Sequence, residues 1–114
     1  MKKIEATIYP FKLNAVKEAL SRVGIEEFSV LEVHSFGHQT RSSAEAYRGS
    51  TQVIEHEPKL KVETVVVDYK AVQVSEAIRK AARTGRIGDR EILVLPVEDI
   101  VCIETGARGS AAIC

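Results

Sequence analysis

Several features that define large classes of proteins are scarce in this chain of 114 residues. Acidic and basic residues balance at 16 each, which gives a formal net charge of +0. The surplus of lysine and arginine that binding to nucleic acid requires is therefore missing. No apolar run approaches the roughly 20 residues that cross a bilayer, and residues 1–5 lack the hydrophobic region of a secretion signal. These absences predict a cytoplasmic protein that does not bind nucleic acid and is not itself in the membrane.

Cysteine and histidine are also scarce. The 2 cysteines, Cys102 and Cys114, make no disulfide framework and match no zinc spacing, and the 3 histidines are far apart in sequence. No metal site is therefore predicted. Cys102, in a predicted strand, is expected to be a small buried hydrophobe. Cys114 could form a redox-linked disulfide with a neighbour, and both residues are retained as redox candidates.

Catalytic patterns are missing as well. The sequence shows no nucleophile with its base at a useful spacing, no paired carboxylates and no metal-ligand cluster. It therefore predicts a protein that is not an enzyme and holds no tightly bound cofactor. One enzymatic alternative stays open, a weak nucleotide hydrolase in which bound Mg²⁺ and a water oriented by Glu104 would suffice.

What the sequence does contain is a regular succession of strand and helix patterns. Alternation of apolar and polar residues predicts a strand over residues 4–9. Runs rich in apolar, β-branched and aromatic residues predict strands over 29–36, 60–68 and 91–97, and a short fifth strand over 100–103. Helical spacing predicts one helix over 13–23, capped by Gly24, and a second from about Ala71 to Gly85. The order βαββαβ predicts a single α+β domain, 1–114, with the ferredoxin-like sandwich of two helices on one face of an antiparallel sheet. That fold supports many functions.

Two segments do not fit a small monomeric sandwich. In the fourth strand, Ile92 to Leu95 are apolar on both faces, although this strand lies at the sheet edge in such a topology. Exposed apolar edges aggregate, so self-association is predicted. The segment 37–58 has no clean periodicity, and a loop of about twenty residues in a small domain is usually functional. It is predicted to be an effector loop, and 105–114 a C-terminal tail.

Six short motifs, in the right order over residues 1–106, resemble the PII family of nitrogen-regulatory signal-transduction proteins. They are Met1-Lys-Lys-Ile-Glu-Ala6, Pro10-Phe-Lys-Leu13, Phe36-Gly-x-Gln39, Tyr47-Arg-Gly49, Pro58-Lys-x-Lys-x-Glu63 and Thr84-Gly-x-Ile-Gly-Asp89. The resemblance implies a homotrimer of ferredoxin-like subunits that binds an adenine nucleotide in clefts between subunits. It also implies that the long loop contacts a membrane transporter or a metabolic enzyme.

The resemblance assigns specific residues to these roles. Ser29 and Glu63 would hydrogen-bond the adenine, Lys59 would place a cation near the phosphates or a carboxylate ligand, and Gly37 would let the backbone pass close to the ligand. Backbone N–H groups of the turn 84–89 would cradle a phosphate. The implied nucleotide set is Ser29, Gly37, His38, Gln39, Lys59, Glu63, Val65, Thr84, Gly85, Arg86, Ile87, Gly88, Asp89 and Arg90. The implied effector-loop residues are Thr40, Arg41, Tyr47 and Arg48.

The sequence departs from the family pattern at the phosphate-binding positions. Typical members have Arg at the position of His38, Gly and Lys at those of Arg90 and Glu91, and arginines at those of Cys102 and Glu104. Each lost charge-assisted hydrogen bond is worth roughly 1.5–3 kcal/mol, and a carboxylate would repel an outer phosphate. The departures therefore predict that ADP or AMP binds better than ATP, with Arg90 restoring one cation.

These departures also affect which small molecule is expected to bind in addition to the nucleotide. Gln39 would help hold Mg²⁺ beside 2-oxoglutarate, but that site loses the arginines that anchor the triphosphate. Gln52 replaces the tyrosine that is uridylylated in enteric members. The leading hypothesis is a branch that responds to adenylates together with bicarbonate and accompanies carboxysomes or bicarbonate uptake. The alternatives are a nitrogen-sensing PII protein that binds ATP and 2-oxoglutarate, and a metal-related structural trimer like that of the copper-tolerance family.

Overall fold

The computed structural model describes residues 1–38 and 54–113, and their side chains except those of 37, 38 and 54–56. Four strands and two α-helices make up the architecture. The strands are β1 (Lys2–Ile8), β2 (Ser29–His38), β3 (Ile54–Val66) and β4 (Ile92–Pro96). The helices are α1 (Leu13–Arg22) and α2 (Ala71–Ala82), and short 3₁₀ turns lie at Pro10–Lys12, Asp68–Lys70 and Gly109–Ala112.

All four strands belong to one antiparallel sheet in the order β2-β3-β1-β4. Ala6 at the centre of β1 lies opposite Val62 of β3 on one side and Ile92 of β4 on the other. Ser29 lies opposite Glu63. This is the ferredoxin-like α+β fold that the sequence predicted.

The core lies between the two helices and one face of the central strands. Ile4, Ala6 and Ile8 of β1 are almost completely buried, while the residues between them are half-buried on the other face. The period of two therefore divides the sheet into a helix-covered face and an open face. The helices contribute their own fully buried residues, among which Leu20 and Ile78 are the largest.

Helix α1 ends as the sequence predicted. Gly24 adopts a positive φ of 84°, its N–H donates to the carbonyl of Ser21, and the N–H of Ile25 donates to that of Leu20. This pair of hydrogen bonds is the Schellman arrangement, in which a left-handed residue satisfies the last carbonyls of a helix. Gly24 is the residue type that enters this conformation with little strain.

The predicted effector loop is shorter than the sequence indicated. Strands β2 and β3 extend into the segment 37–58, since Gly37 pairs with Glu55 and His38 with Ile54. Backbone pairing between two long strands does not require the apolar alternation on which the prediction relied. Residues 39–53 lie outside the described part of the chain.

Two further boundaries were wrong. The predicted fifth strand over 100–103 does not form, and Val101 makes only an isolated bridge to Arg108. The consecutive apolar residues there have no neighbouring strand to pair with. Helix α2 ends at Ala82 rather than at Gly85, because Arg83 is already extended, with φ −62° and ψ 128°.

The edges of the sheet expose apolar side chains, as predicted for β4. There Leu93 is 46% exposed and Val94 is 47% exposed, so neither face of the strand is fully covered, although Ile92 packs against the core. Leu31 on β2, at the opposite edge, is exposed to a similar degree. Neither helix of the described residues has the length and apolarity that a membrane crossing needs.

Two valines of α2 provide a matched test of this core. Val74 is completely buried, whereas Val72, one half-turn away, is 75% exposed. Val74→Ala should lower the free energy of unfolding by about 2 kcal/mol, because it removes two buried carbons and leaves a cavity. Val72→Ala should change it by less than about 0.5 kcal/mol. Urea unfolding of both variants measures the difference, and equal losses would contradict the assigned helix face.

Candidate functional site

The turn that the sequence singled out forms one wall of a cleft. This cleft, of about 460 Å³, opens between the end of β1, the start of β4 and helix α2. We call it the turn-side cleft; its lining includes Tyr9, Arg79, Gly88 and Glu91. Lys59 contacts its wall from β3, because its Nζ donates to the carbonyl of Gly88 at 2.5 Å.

The turn is closed internally by Asp89. Its Oδ2 accepts the N–H groups of Thr84 and Gly85, both at 3.0 Å, and its Oδ1 accepts the hydroxyl of Thr84 at 2.6 Å. Partial burial acts to raise the pKa of Asp89, but these hydrogen bonds outweigh it and the pKa is lowered. Two N–H groups that were predicted to cradle a phosphate are therefore occupied by a carboxylate. Within the described residues, the N–H groups of Ile87, Gly88 and Arg90 donate to no protein acceptor.

Lys59 is buried and has several partners. Its side chain is 3% exposed, and Nζ lies 3.6 Å from Glu57 in addition to its bond to Gly88. The same ammonium lies 4.5 Å from the centre of the Tyr9 ring, within cation–π range. A charged side chain at such depth requires partners of this kind. Lys59 thus joins β3 to the turn, and releasing it to a ligand would break those contacts.

Tyr9 supports the turn from just beyond the end of β1. Its hydroxyl lies so close to Gly88 that a Cβ at that position would collide with it. Burial, together with the nearby carboxylates of Glu57 and Asp89, raises the pKa of the Tyr9 hydroxyl. The ring stacks on Phe11 with 5.4 Å between centroids, and the Arg86 guanidinium lies over both rings. The sequence reasoning missed Tyr9, although Tyr9 ends a predicted strand and precedes a quoted motif.

Arg90 makes contacts that the sequence did not predict. One guanidinium nitrogen donates to the hydroxyl of Ser35 on β2 at 3.3 Å, and Nε lies 3.4 Å from Glu91. Its charge is thus partly neutralised within the chain. Arg90 is located beside the turn as predicted, but it is directed toward β2 and Glu91.

The residues assigned to the adenine meet in a second cleft, at the opposite end of the sheet. It measures about 590 Å³, and its lining includes Ser29, Glu63, Val65, Cys102 and Glu104. We call it the tail-side cleft. The pairing of β2 with β3 places Ser29 directly beside Glu63, whereas the chain after β4 supplies Cys102 and Glu104. Cys102 is half-buried and outside any strand, so the expected buried strand position was wrong.

Glu63 also belongs to an ion-pair network on the open face of the sheet. Lys3 lies 2.8 Å from Glu5 and 3.5 Å from Glu63, and Lys61 lies 4.0 Å from Glu5. The hydrogen bond from Lys3 lowers the pKa of Glu5, and Glu5 in turn raises the pKa of Lys3. Glu63 therefore stands in the cleft as a carboxylate with a cation on one side.

The two clefts share no lining residue. The turn-side cleft contains Thr7 and Ile8 at the end of β1 and the following Tyr9, whereas the tail-side cleft contains Lys3 at its start. Lys59 and Glu63 lie four residues apart on β3, which is about 13 Å along a strand. The predicted nucleotide residues thus form two separate groups in one chain.

Comparison with known proteins decides the family. A family model described as nitrogen regulatory protein P-II matches residues 1–107. The chain is 51% identical over 113 residues to the nitrogen regulatory protein P-II of Azospirillum brasilense, and 52% identical to that of Rhizobium meliloti. Each alignment covers 99% of this chain and 100% of the relative.

This chain belongs to the nitrogen regulatory protein P-II family. The PII resemblance of the motifs is therefore confirmed, and the protein is a regulatory signal transducer and not an enzyme. The carboxysome-associated branch has no support from these relatives, which are named for nitrogen regulation.

Some predicted residues of this PII protein cannot be placed. Gly37 and His38 are described only as paired backbone of β2. The remainder lie outside the described residues: Gln39, Thr40, Arg41, Tyr47, Arg48 and Cys114. In the part of the chain that is described, no group of three or more histidine, cysteine or acidic residues could hold a metal ion.

The contact between Gly88 and Tyr9 gives a first prediction for the turn. Gly88→Ala should destabilise the fold by roughly 1–3 kcal/mol, because its Cβ meets the Tyr9 hydroxyl. Adding Tyr9→Phe should recover part of that loss. Gly85→Ala is the control: Gly85 has a φ of 80°, and a Cβ added there would have no other atom within 4 Å, so its backbone strain should not respond to Tyr9→Phe. Thermal unfolding of each glycine variant, with and without Tyr9→Phe, measures the difference. If Tyr9→Phe changed the stability of both glycine variants by the same amount, the contact between Gly88 and Tyr9 would be rejected.

The carboxylate of Asp89 gives a prediction on pH. Because its pKa is lowered in the folded state, its contribution to stability is present above the ordinary aspartate pKa and is lost as the pH falls through the folded pKa. Asp89→Asn should therefore lower the unfolding temperature at about pH 6, and the difference from the wild type should shrink toward about pH 3. Glu98→Gln, at an exposed acidic residue, is the control. If the unfolding temperatures of Asp89→Asn and the wild type differed by the same amount at every pH, the charge of Asp89 would not stabilise the turn.

Proposed function

We propose that this PII protein is a nitrogen-regulatory signal transducer that binds an adenine nucleotide between two copies of the chain. The near-full-length identity of about half to proteins named nitrogen regulatory protein P-II carries the regulatory part of this proposal. Its nitrogen-sensing role has better support than a role in bicarbonate metabolism, since the relatives reported above are named for nitrogen and not for inorganic carbon.

The tail-side cleft suits the base of the nucleotide. The Ser29 hydroxyl can donate and accept, and the Glu63 carboxylate can accept from an exocyclic amine. Val65 offers an apolar surface two residues further along β3. These side chains share one face of adjacent strands, with Ser29 and Glu63 directly opposite each other, and their backbone is fixed by the sheet.

The turn-side cleft suits the phosphates. Lys59 supplies a cation beside Gly88, and the N–H groups of Ile87, Gly88 and Arg90 have no acceptor within the described residues. Successive N–H groups in a turn form a concavity that binds anions. The internal bonds of Asp89 to Thr84 and Gly85 give this turn its shape before any ligand arrives.

One chain does not bring the two groups together, so the complete site requires a second copy. The exposed apolar side chains at both sheet edges support such an assembly, because Leu31 and Leu93 would otherwise remain in water. We therefore propose the homotrimer that the family resemblance implies, with one nucleotide in each cleft between subunits.

The charge of the clefts favours nucleotides with few phosphates. Glu104 lines the tail-side cleft, and Cys102 beside it supplies no cation. Arg90, which was expected to restore a cation, already contacts Ser35 and Glu91. We propose that ADP and AMP bind more tightly than ATP, and that Glu104 repels the outer phosphate of ATP.

We also propose that this signal transducer acts on a partner protein. The resemblance implies a membrane transporter or a metabolic enzyme that is contacted through the effector loop, whose residues 39–53 lie outside the described chain. A cytoplasmic location fits a protein that would meet nucleotides and such a partner.

Substitution of Glu104 tests the nucleotide preference. Glu104→Arg should raise ATP affinity by about tenfold or more, the value of one charge-assisted hydrogen bond. Glu98→Arg makes the same change of charge at an exposed residue outside both clefts and should change ATP affinity far less. Calorimetry with ATP, ADP and AMP, each with and without 2-oxoglutarate or bicarbonate, provides the measurement, and light scattering gives the oligomeric state.

The outcomes separate the parts of the proposal. Tight binding of Mg-ATP that depends on 2-oxoglutarate would overturn the proposed preference and leave a nitrogen sensor of the ordinary kind. A monomer in solution, or no adenylate binding at millimolar concentration, would overturn the cleft between subunits.

A further inference from the structure

The chain after β4 folds back as a small hairpin. The N–H of Cys102 donates to the carbonyl of Ala107 at 2.9 Å, and the N–H of Gly106 donates to that of Cys102 at 2.8 Å. Gly106 has a φ of 75° at the turn, and Val101 bridges to Arg108. This segment of 100–109, the C-terminal hairpin, carries Cys102 and Glu104 into the wall of the tail-side cleft.

Most residues of the C-terminal hairpin are exposed. It belongs to no sheet, and Ile103 at its far side is 101% exposed. An isolated two-stranded hairpin is marginal in water. Beyond it, Ala112 is buried and anchors the tail. Closure of the hairpin at its base therefore contributes to where its residues lie relative to β2 and β3.

Asp99 occupies that base and binds three groups at once. Its Oδ1 accepts the N–H of Ile100 at 2.8 Å and that of Gly109 at 3.2 Å, one from each side of the hairpin. Its Oδ2 accepts from the Arg108 guanidinium at 2.8 Å. The Asp99 carboxylate thus joins both strands at the open end of the hairpin, beside the backbone bond in which the N–H of Gly109 donates to the carbonyl of Ile100 at 3.1 Å.

We propose that Asp99 is the positioning residue of the tail-side cleft: by closing the C-terminal hairpin on Arg108 and Gly109, it fixes the wall that carries Cys102 and Glu104 opposite Ser29 and Glu63. The inference rests on the proposed function, because the wall matters only if the cleft takes an adenine nucleotide. Asp99 itself does not line the cleft and so acts through the hairpin.

The charge state of Asp99 agrees with this geometry. The N–H of Ile100, followed by the Arg108 guanidinium, lowers the pKa of the carboxyl, so the acceptor is ionised and both oxygens are available. An exposed ion pair between Asp99 and Arg108 alone would contribute little to the stability of the hairpin. The two backbone N–H groups are what tie both sides of the hairpin to one side chain.

Adjacent acidic residues allow a matched experiment. Asp99→Asn removes the charge and one acceptor at the base of the hairpin, whereas Glu98→Gln removes the same charge from an exposed neighbour. In the full-length protein, Asp99→Asn should weaken ADP binding about tenfold in calorimetry, and Glu98→Gln should leave it within about twofold. Arg108→Ala, which spares both backbone bonds, should have an intermediate effect.

Amide hydrogen exchange supplies a readout that does not depend on the ligand. Asp99→Asn should raise exchange at Cys102, Gly106 and Gly109 while the amides of β1 and β3 stay protected, which shows that the domain remains folded. Open hairpin amides with ADP affinity unchanged would overturn the positioning role, as would amides that stay protected in Asp99→Asn. No ADP binding by the wild type would overturn the proposed function itself. If Asp99→Asn bound ADP more weakly and were also monomeric, the substitution would act by disrupting the association of subunits, and this result would also overturn the inference.

Discussion

The two central strands have only one covered face. Every second side chain of β1, from Ile4 to Ile8, is buried under the helices, and the period of two sends the others to the open face. Burial of apolar surface is the main stabilising term in such a domain, so the helices fix which face is closed. The open face must then carry groups that tolerate water, and it does so with the ion pairs of Lys3, Glu5 and Lys61.

This one-sided packing separates the candidate site into two parts. Most of the strand residues that line the clefts lie near the ends of their strands, and the two clefts accordingly lie at opposite ends of β1. The apolar edges at β2 and β4 lie between these ends and remain exposed. Under the proposed function, a chain built in this way completes both its apolar surface and its binding site by associating with copies of itself, so that assembly and ligand binding are linked.

Local pattern predicted the elements well and the long-range contacts poorly. Apolar periods gave both helices and β1, and runs of apolar, β-branched and aromatic residues gave the other three strands, because burial favours these residues. The motifs placed Ser29 and Glu63 in one site, and the strand register confirms that they are neighbours. The prediction failed at 100–103, where four consecutive apolar residues have no partner strand beyond one bridge, and at Ile54 to Pro58, where strand pairing proceeds without apolar alternation. Neither failure concerns the core.

The residues that sequence reasoning missed share a physical cause. Tyr9 contacts the turn at Gly88, far along the chain, and Asp99 contacts Arg108 and Gly109 across a hairpin, and no residue type or spacing marks such contacts in advance. Lys59 is instructive, because its charge suggested a free ligand-binding cation, yet its ammonium is buried against a carbonyl 29 residues away. A buried charge must find partners whether or not a ligand is bound. A phosphate that approaches the turn would therefore compete with bonds the protein already makes, and the affinity would reflect the difference between the two sets of bonds rather than the number of cations nearby.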